Sequence, residues 1–149
     1  MKLYLVQHGD AKSEAEDLER PLSEKGVAEV GKVAKHAVKL VSVDHIYYSP
    51  KLRAKQSAHI LMMATGAKAS ESEGLKPNDD PDIARYLIET EGKNIMLVGH
   101  LPHLERLSSL LLSGDPEGAI ISFRMGAIVC LEKEDKWRIK WILTPEMVQ

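Results

Sequence analysis

The sequence predicts an α/β fold, a three-layer αβα sandwich built on a mostly parallel sheet with a C-terminal antiparallel hairpin. Two short runs, residues 3–6 and 95–98, are entirely apolar, which is typical of parallel strands buried on both faces. Segments with a helical spacing of apolar residues alternate with strand-like segments, and two strand-like segments around a polar turn complete the pattern. The 149 residues have the length of one domain, so we expect residues 1–149 to form a single domain.

The elements of the first half follow from apolar spacing and from capping residues. After the first apolar run, a polar loop over residues 7–22 leads to Ser23, the expected N-cap of a helix that ends near residue 40. Residues 45–48 form the second strand. Ser49 is expected to cap the next helix, with Pro50 at its first position, and that helix continues to about residue 64.

The second half contains two further helices and the end of the sheet. Residues 67–74 alternate small and polar side chains, so a strand there is weak and lies at an edge. Asp80 and Pro81 begin a third helix that ends near residue 91, and the second all-apolar run follows it. Pro102 begins a fourth helix, which Gly114 ends.

The last two strands are predicted to pair as a hairpin. They are residues 127–131 and residues 137–143, separated by a polar turn. In the second of them, large apolar residues alternate with polar ones, as expected of a half-exposed strand with one apolar face. The residues of that face are Trp137, Ile139, Trp141 and Leu143.

Composition excludes several classes of function. The 20 Lys and Arg residues against 22 Asp and Glu residues give a net charge of −2, so we expect no nucleic-acid partner. A single Cys excludes a disulfide framework and a cysteine-rich zinc site. No segment reaches the roughly 18–20 apolar residues that span a bilayer, and the first residues read as a strand rather than a signal peptide, so we expect a cytoplasmic protein without membrane contact.

Histidine and arginine side chains follow three of the predicted strands. His8 comes directly after the first apolar run, and His100 comes after the second. Arg53 lies in the first turn of the helix after residues 45–48, where free backbone N–H groups already favour an anion. Because ligands of α/β folds bind at the carboxyl ends of parallel strands, these side chains are expected to meet. Two imidazoles and a guanidinium suit phosphoryl transfer through a nucleophilic histidine.

Four segments carry a resemblance to a known family. They are QHGDA at residues 7–11, RPLSEKG at 20–26, SPKLRAKQS at 49–57 and MLVGHLPHL at 96–104. Together they resemble the histidine phosphatase superfamily, and specifically its small SixA-type phosphohistidine phosphatases. The resemblance covers nearly the whole chain. It implies a phosphoglycerate-mutase-like fold and a histidine-phosphatase domain without a lid insertion.

The resemblance also implies roles for particular residues. His8 resembles the nucleophilic histidine that becomes transiently phosphorylated, and Arg53 resembles a phosphate-binding arginine. His100 resembles the second histidine, which binds phosphate and stabilises the transition state. Arg20, in the RPL segment, is expected to reach the substrate phosphate as well.

Gln7 departs from the family pattern, in which an arginine precedes the nucleophilic histidine. Its amide keeps a donor group but lacks the charge and the forked geometry of a guanidinium. The loss of one charge-assisted contact is worth about 1–3 kcal/mol of phosphate binding, or roughly tenfold to hundredfold in rate. Gln7 is therefore expected to weaken the enzyme, and the alternative is a non-catalytic relative that only binds phosphate.

The expected substrate is phosphohistidine on a partner protein, such as a phosphotransfer domain. A phosphomonoester enzyme needs an acid that protonates the departing oxygen, and no residue matches that role clearly. Asp79 and Asp80 are the nearest candidates, although both suit the start of a helix. Imidazole, with a reference pKa of about 6.5, leaves without a strong acid. No metal and no cofactor are expected, and a phosphatase acting on a small phosphomonoester is the alternative enzyme.

The remaining candidate residues have structural interpretations. Cys130 lies in an apolar run and is expected in the core. His103 is expected to be solvated, with contact to a partner as the alternative. The acidic residues 14–19 are expected to form a solvated loop, and they could also select a basic partner surface. The other histidines, treated as structural, are His36, His45 and His59.

Overall fold

Six strands form one sheet in the computed structural model, which describes residues 1–149. The strands are β1 (Lys2–Gln7), β2 (His45–Tyr48), β3 (Lys68–Glu71), β4 (Ile95–Gly99), β5 (Ile128–Lys133) and β6 (Trp137–Leu143), in the spatial order β3-β2-β4-β1-β5-β6. The helices are α1 (Glu24–Ala37), α2 (Leu52–Thr65), α3 (Pro81–Glu91) and α4 (His103–Ser113), and a short 3-10 helix at Pro145–Met147 follows β6. The strands β1 to β4 are mutually parallel, whereas β5 is antiparallel to β1 and β6 to β5. The predicted fold class is therefore confirmed.

The sheet separates two apolar layers. Successive side chains of a strand point to opposite faces, and β1 uses both. Tyr4 and Val6 pack in the layer that contains α1 and α2, while Leu3 and Leu5 pack in the layer that contains α3 and α4. All four side chains are buried, which explains why the run that contains them has no polar residue.

Helix α1 begins as predicted, and helix α2 does not. The Ser23 side chain accepts a hydrogen bond from the Gly26 N–H and caps α1, which ends at Ala37 with a turn after it. Lys51 is the N-cap residue of α2, and no side chain caps that helix. The prediction that Ser49 caps α2 and that Pro50 is its first residue is therefore wrong, because the buried Ser49 hydroxyl bonds to His100 instead.

Strand β6 has the predicted bounds but not the predicted single apolar face. Cys130 pairs with Trp141 and Leu131 pairs with Ile139, so an extra residue, Lys140, sits between two consecutive pairs as a β-bulge. Trp141 consequently packs in the layer of α1 and α2, whereas Trp137 packs in the opposite layer. The prediction is wrong because a bulge reverses the alternation of side chains.

The edge position of β3 is confirmed, since β3 pairs only with β2. At the centre of the sheet, β1 and β4 are neighbours, and β2 lies on the other side of β4. The carboxyl ends of these three strands therefore share one edge of the sheet. No helix of the structure combines the length and the apolar character needed to cross a bilayer.

Candidate active site

His8 and His100 meet at the carboxyl ends of β1 and β4, as the sequence predicts. Gln7 pairs with Gly99 in the last register position of the two strands, and the His8 N–H continues the ladder to the Gly99 carbonyl at 3.0 Å. The two imidazole rings lie with their centroids 5.1 Å apart and their planes at 54°. The parallel pairing of two buried strands thus positions both rings.

The His8 ring is held in one tautomer. Its Nδ1 lies 2.7 Å from the Gly9 carbonyl oxygen, which can only accept, so Nδ1 carries the proton. The free Nε2 faces the Arg53 side chain, whose Nε donates to it at 3.4 Å. His8 is only 8% exposed, and burial, with smaller effects from Arg53 and Arg20, lowers its pKa from 6.5 to about 4. The ring is therefore neutral at pH 7, with an unprotonated Nε2.

The His100 ring is held by a serine that sequence reasoning assigned to a different role. His100 Nε2 lies 2.8 Å from the Ser49 Oγ, and Nδ1 is buried without a partner. Burial, together with the neighbouring His8 and Arg53, lowers the His100 pKa from 6.5 to about 3. The signal that could have identified Ser49 is its position directly after β2, which lies beside β4 in the sheet.

Arg53 lies in the first turn of α2, and Ser57 ties that helix to the loop after β1. The Ser57 Oγ accepts from the Gly9 N–H at 3.0 Å and donates to the Arg53 carbonyl at 2.8 Å. Ser57 is fully buried, and nothing in the sequence alone distinguishes it from other helical serines. Burial and the positive charge of Arg20 lower the Arg53 pKa, but a guanidinium remains charged at neutral pH.

The loop between β1 and α1 is fixed by backbone contacts at both ends. A Cβ on Gly26 would lie 2.0 Å from the Asp10 carbonyl oxygen, so only glycine allows this approach of α1 to the loop. The Ser23 Oγ donates to Asp10 Oδ2 at 2.6 Å, and the Leu22 N–H donates to Gln56 Oε1 of α2 at 2.7 Å. Contacts from the RPLSEKG and SPKLRAKQS segments therefore fix the position of the loop that follows β1.

Arg20 and Arg53 share one cleft beside the histidines. Arg20 has a positive φ of 49°, and its Nε donates to the Lys12 carbonyl at 3.0 Å. The cleft has a volume of about 470 Å³. Ten residues line it: Glu14, Leu18, Glu19, Arg20, Pro50, Lys51, Leu52, Arg53, Lys55 and Glu71. Neither His8 nor His100 is among them, so the cleft adjoins the histidine pair rather than enclosing it.

Gln7 contributes no charge to this site. Its Oε1 is buried without a hydrogen-bond partner, and its backbone carbonyl accepts from the Gly126 N–H at 2.9 Å. A buried amide oxygen without a partner is uncommon in native proteins. Positive charge near the histidines comes instead from Arg53 and Arg20, which act on His8, and from Arg53 and Lys51, which act on His100.

Asp79 and Asp80 serve the turn before α3. Asp80 is the N-cap of α3 and accepts from the Asp82 N–H at 2.9 Å, and Asp79 Oδ2 accepts from the Lys76 N–H at 2.9 Å.

The negative charges of Asp79 and Asp80 act on the His103 ring, which was predicted to be solvated. That prediction is wrong, because His103 is 0% exposed and neither ring nitrogen has a hydrogen-bond partner. Burial lowers the His103 pKa from 6.5 to about 4.

The side chains offer no grouping of three or more His, Cys, Asp or Glu residues that could hold a metal ion. Cys130 is buried in the core, as predicted. His45 and His59 make structural contacts: His45 Nε2 lies 2.7 Å from Ser70 Oγ, and His59 packs edge-on against Tyr48.

The sequence and the fold match known phosphatases. The family model of the histidine phosphatase superfamily (branch 1) matches residues 3–79, which include His8, Arg20 and Arg53. No curated protein matches the sequence.

Solved structures extend the match to the whole chain. The chain is similar to the protein histidine phosphatase SixA in complex with tungstate, at 25% identity and a TM-score of 0.85, with 99% of each chain covered. It is similar to a SixA-type protein from Agrobacterium tumefaciens at 25% identity and a TM-score of 0.82, with 97% and 98% of the two chains covered. A mutant phosphoserine phosphatase from Entamoeba histolytica in complex with phosphoserine shares the fold at 17% identity and a TM-score of 0.74, with 99% of each chain covered.

Proposed function

This chain belongs to the histidine phosphatase superfamily, and from that membership we propose that it removes phosphate from phosphohistidine on a protein through a covalent phosphohistidine intermediate. The similarity to SixA over the whole chain supports phosphohistidine as the substrate. His8 acts as the nucleophile, and Arg53, Arg20, His100 and the Gln7 amide bind the phosphoryl group.

The geometry of His8 is the observation that carries this proposal. The bond from Nδ1 to the Gly9 carbonyl leaves an unprotonated Nε2 beside the Arg53 guanidinium. A neutral imidazole is the form that can attack phosphorus, and the low pKa of His8 keeps the ring in that form at neutral pH. The nitrogen that attacks therefore needs no general base.

The reaction takes place in two displacement steps. His8 Nε2 attacks phosphorus, the P–N bond of the substrate breaks, and the substrate ring, protonated on its other nitrogen, leaves as neutral imidazole. Water then attacks phosphorus, the bond to His8 breaks, and inorganic phosphate leaves with the water protons. Arg53 and Arg20 stabilise the phosphoryl oxygens in both steps, and the arriving negative charge favours the protonated form of His100.

The surroundings of the site favour a protein substrate whose leaving group is the imidazole of a histidine. Asp79 and Asp80, the nearest candidates for protonating an ester oxygen, accept backbone hydrogen bonds that shape the turn before α3. An imidazole leaving group does not need such an acid. A single domain without a lid insertion, which we propose for residues 1–149, leaves the strand ends accessible to a folded partner.

Phosphate release tests the proposal directly. The substrates are a histidine-phosphorylated peptide and the matching phosphoserine peptide, and the proteins are the unaltered chain, His8→Ala and Gln7→Arg. We expect His8-dependent release from the phosphohistidine peptide. Gln7→Arg should raise kcat/KM by roughly tenfold to hundredfold, because it adds a charge-assisted contact worth about 1–3 kcal/mol.

His36→Ala, which changes an exposed histidine of α1, is the matched control for the loss of an imidazole. Equal rates for the unaltered protein and His8→Ala would refute the nucleophile. Faster release from the phosphoserine peptide would refute the substrate class. Phosphate binding without turnover in both the unaltered protein and Gln7→Arg would identify a binding module instead.

A further inference from the structure

The cleft beside the histidines is lined by acidic side chains as well as by the basic side chains that bind a phosphoryl group. We propose that its acidic side, formed by Glu14, Glu19 and Glu71, binds a lysine or arginine side chain next to the phosphohistidine of the partner protein. This inference rests on the proposed function, since it places the phosphohistidine at Arg53 and Arg20 of the same cleft.

Two of the four acidic residues at positions 14–19 form hydrogen bonds within the loop after β1. Glu16 Oε1 accepts from the N–H and the Oγ of Ser13, at 3.1 and 3.2 Å, and Asp17 Oδ1 accepts from the Glu19 N–H at 3.0 Å. The carboxylates of Glu14 and Glu19 make no hydrogen bond and line the cleft. The loop therefore carries two free carboxylates, while the hydrogen bonds of Glu16 and Asp17 help to fix its conformation.

This loop is held in place at both ends. The Lys12 N–H donates to the Pro21 carbonyl at 2.8 Å, and Ala11 pairs with Leu22 in an isolated antiparallel bridge. The bond from Arg20 Nε to the Lys12 carbonyl crosses the base of the loop. A closed loop of this kind has an ordered backbone, so binding to its side chains costs little backbone entropy.

The charged side chains that line the cleft form no salt bridge with one another. Four basic and three acidic side chains line it, and no salt bridge of the structure involves any of the seven. A phosphoryl group of about −2 charge would be bound by the basic side and would make the net charge of the cleft negative. A cation beside the phosphoryl group is the charge that complements the remaining carboxylates.

The rim of the cleft also offers an apolar contact. Leu18, between the two free carboxylates of the loop, is 87% exposed. Leu18, Pro50 and Leu52 are the only apolar residues among the ten that line the cleft. The cleft therefore suits a polar protein segment rather than an apolar ligand. A basic residue with an aliphatic stem satisfies both the carboxylates and this leucine.

Peptides that differ only in flanking charge test the inference. Three phosphohistidine peptides carry Lys, Ser or Glu on both sides of the phosphohistidine. The kcat/KM of each protein for each peptide is divided by its value for phosphoramidate, so that a general change in the phosphate site cancels. The proteins are the unaltered chain, the double variant Glu14→Gln and Glu19→Gln, and a control double variant, Glu89→Gln and Glu134→Gln, at exposed positions outside the cleft.

The unaltered protein and the control should prefer the Lys peptide to the Glu peptide by about tenfold, as two exposed charge contacts predict. The preference should fall to about twofold in the Glu14 and Glu19 variant, and it should weaken with added salt in the unaltered protein. Equal ratios for all peptides, or a preference that survives in the variant, would overturn the inference while leaving the proposed function intact. A failure to release phosphate from phosphoramidate and from every peptide would overturn both.

Discussion

Ser49 holds the His100 ring, because its hydroxyl is the only hydrogen-bond partner of either ring nitrogen. We expect Ser49→Ala to lower kcat/KM for a phosphohistidine peptide by about tenfold, since the ring then loses its fixed orientation. The free energy of unfolding should fall by about 1–3 kcal/mol, because a buried nitrogen loses its partner. Steady-state kinetics and urea unfolding measure the two effects.

Ser70→Ala is the matched control, because it removes a second serine–histidine bond, between Ser70 and His45, at 2.7 Å and away from the site. It should leave kcat/KM unchanged. Equal kinetic losses in the two variants would show that Ser49 has no particular role in positioning His100.

The residues that the sequence could predict are those with a strong local signal. His8, His100 and Arg53 each follow a recognisable strand, and parallel strands bring their ends together. Ser57 could not be assigned, because its partner Gly9 lies 48 residues away. Ser49 was interpreted as a helix cap, the simpler local explanation, and only its place after β2, beside β4, points to His100, 51 residues away. The burial of His103 beside the segment that contains Gly74, Asp79 and Asp80 depends on tertiary packing, which its polar side chain does not indicate.

At the scale of elements, the start of α1 is joined to the loop that carries His8. The Ser23 Oγ caps the helix at the Gly26 N–H and also donates to Asp10 Oδ2. We expect Ser23→Ala to reduce the free energy of unfolding by about 2 kcal/mol, the sum of a lost N-cap and a lost hydrogen bond of about 1 kcal/mol each. The midpoint of urea unfolding measures this loss.

Asp80→Ala, which removes the N-cap of α3 alone, is the comparison and should cost about 1 kcal/mol without lowering activity. A Ser23→Ala loss no larger than that of Asp80→Ala would show that the bond to Asp10 contributes nothing. Loss of activity in Asp80→Ala would instead revive the general-acid interpretation of that carboxylate.

Element bounds were predictable where a residue marks them chemically. Ser23, Asp80 and Gly114 each bond to or end the backbone of the helix beside them, so their structural role can be recognised locally. The bulge at Lys140 was not predictable, because it depends on how β6 is registered against β5. An alternating pattern predicts a strand but does not reveal an extra residue within its pairing.

For the whole molecule, three buried histidines make the protein sensitive to acid, and His45, whose pKa burial also lowers, adds to the effect. The pKa values of His8, His100 and His103 fall from 6.5 to about 4, 3 and 4 in the folded state. Between pH 6.5 and about 4 the unfolded chain therefore binds protons that the folded protein does not, and the free energy of unfolding decreases as the pH falls. Each histidine contributes up to about 1.4 kcal/mol per pH unit in this window, and the contribution fades as the pH rises above 7 and the unfolded-state imidazole loses its proton.

Urea unfolding between pH 7.5 and 5.5 measures this dependence. His103→Leu should reduce the slope by about a third, because it removes one of the three imidazoles without breaking a hydrogen bond. Stability that is level over this range, or a slope that His103→Leu does not change, would contradict the assignment of the acid response to these side chains.

The position of β1 in the sheet has a consequence for how the chain is made. Its two neighbours are β4, which begins at residue 95, and β5, which ends at residue 133, so both are synthesised long after β1 itself. Pairings so distant along the chain form late. His8 is therefore synthesised well before the strands that fix its position in the sheet. Until β4 has been synthesised, the apolar run of β1 has no neighbouring strand, and an exposed apolar segment of this kind is one that chaperones shield.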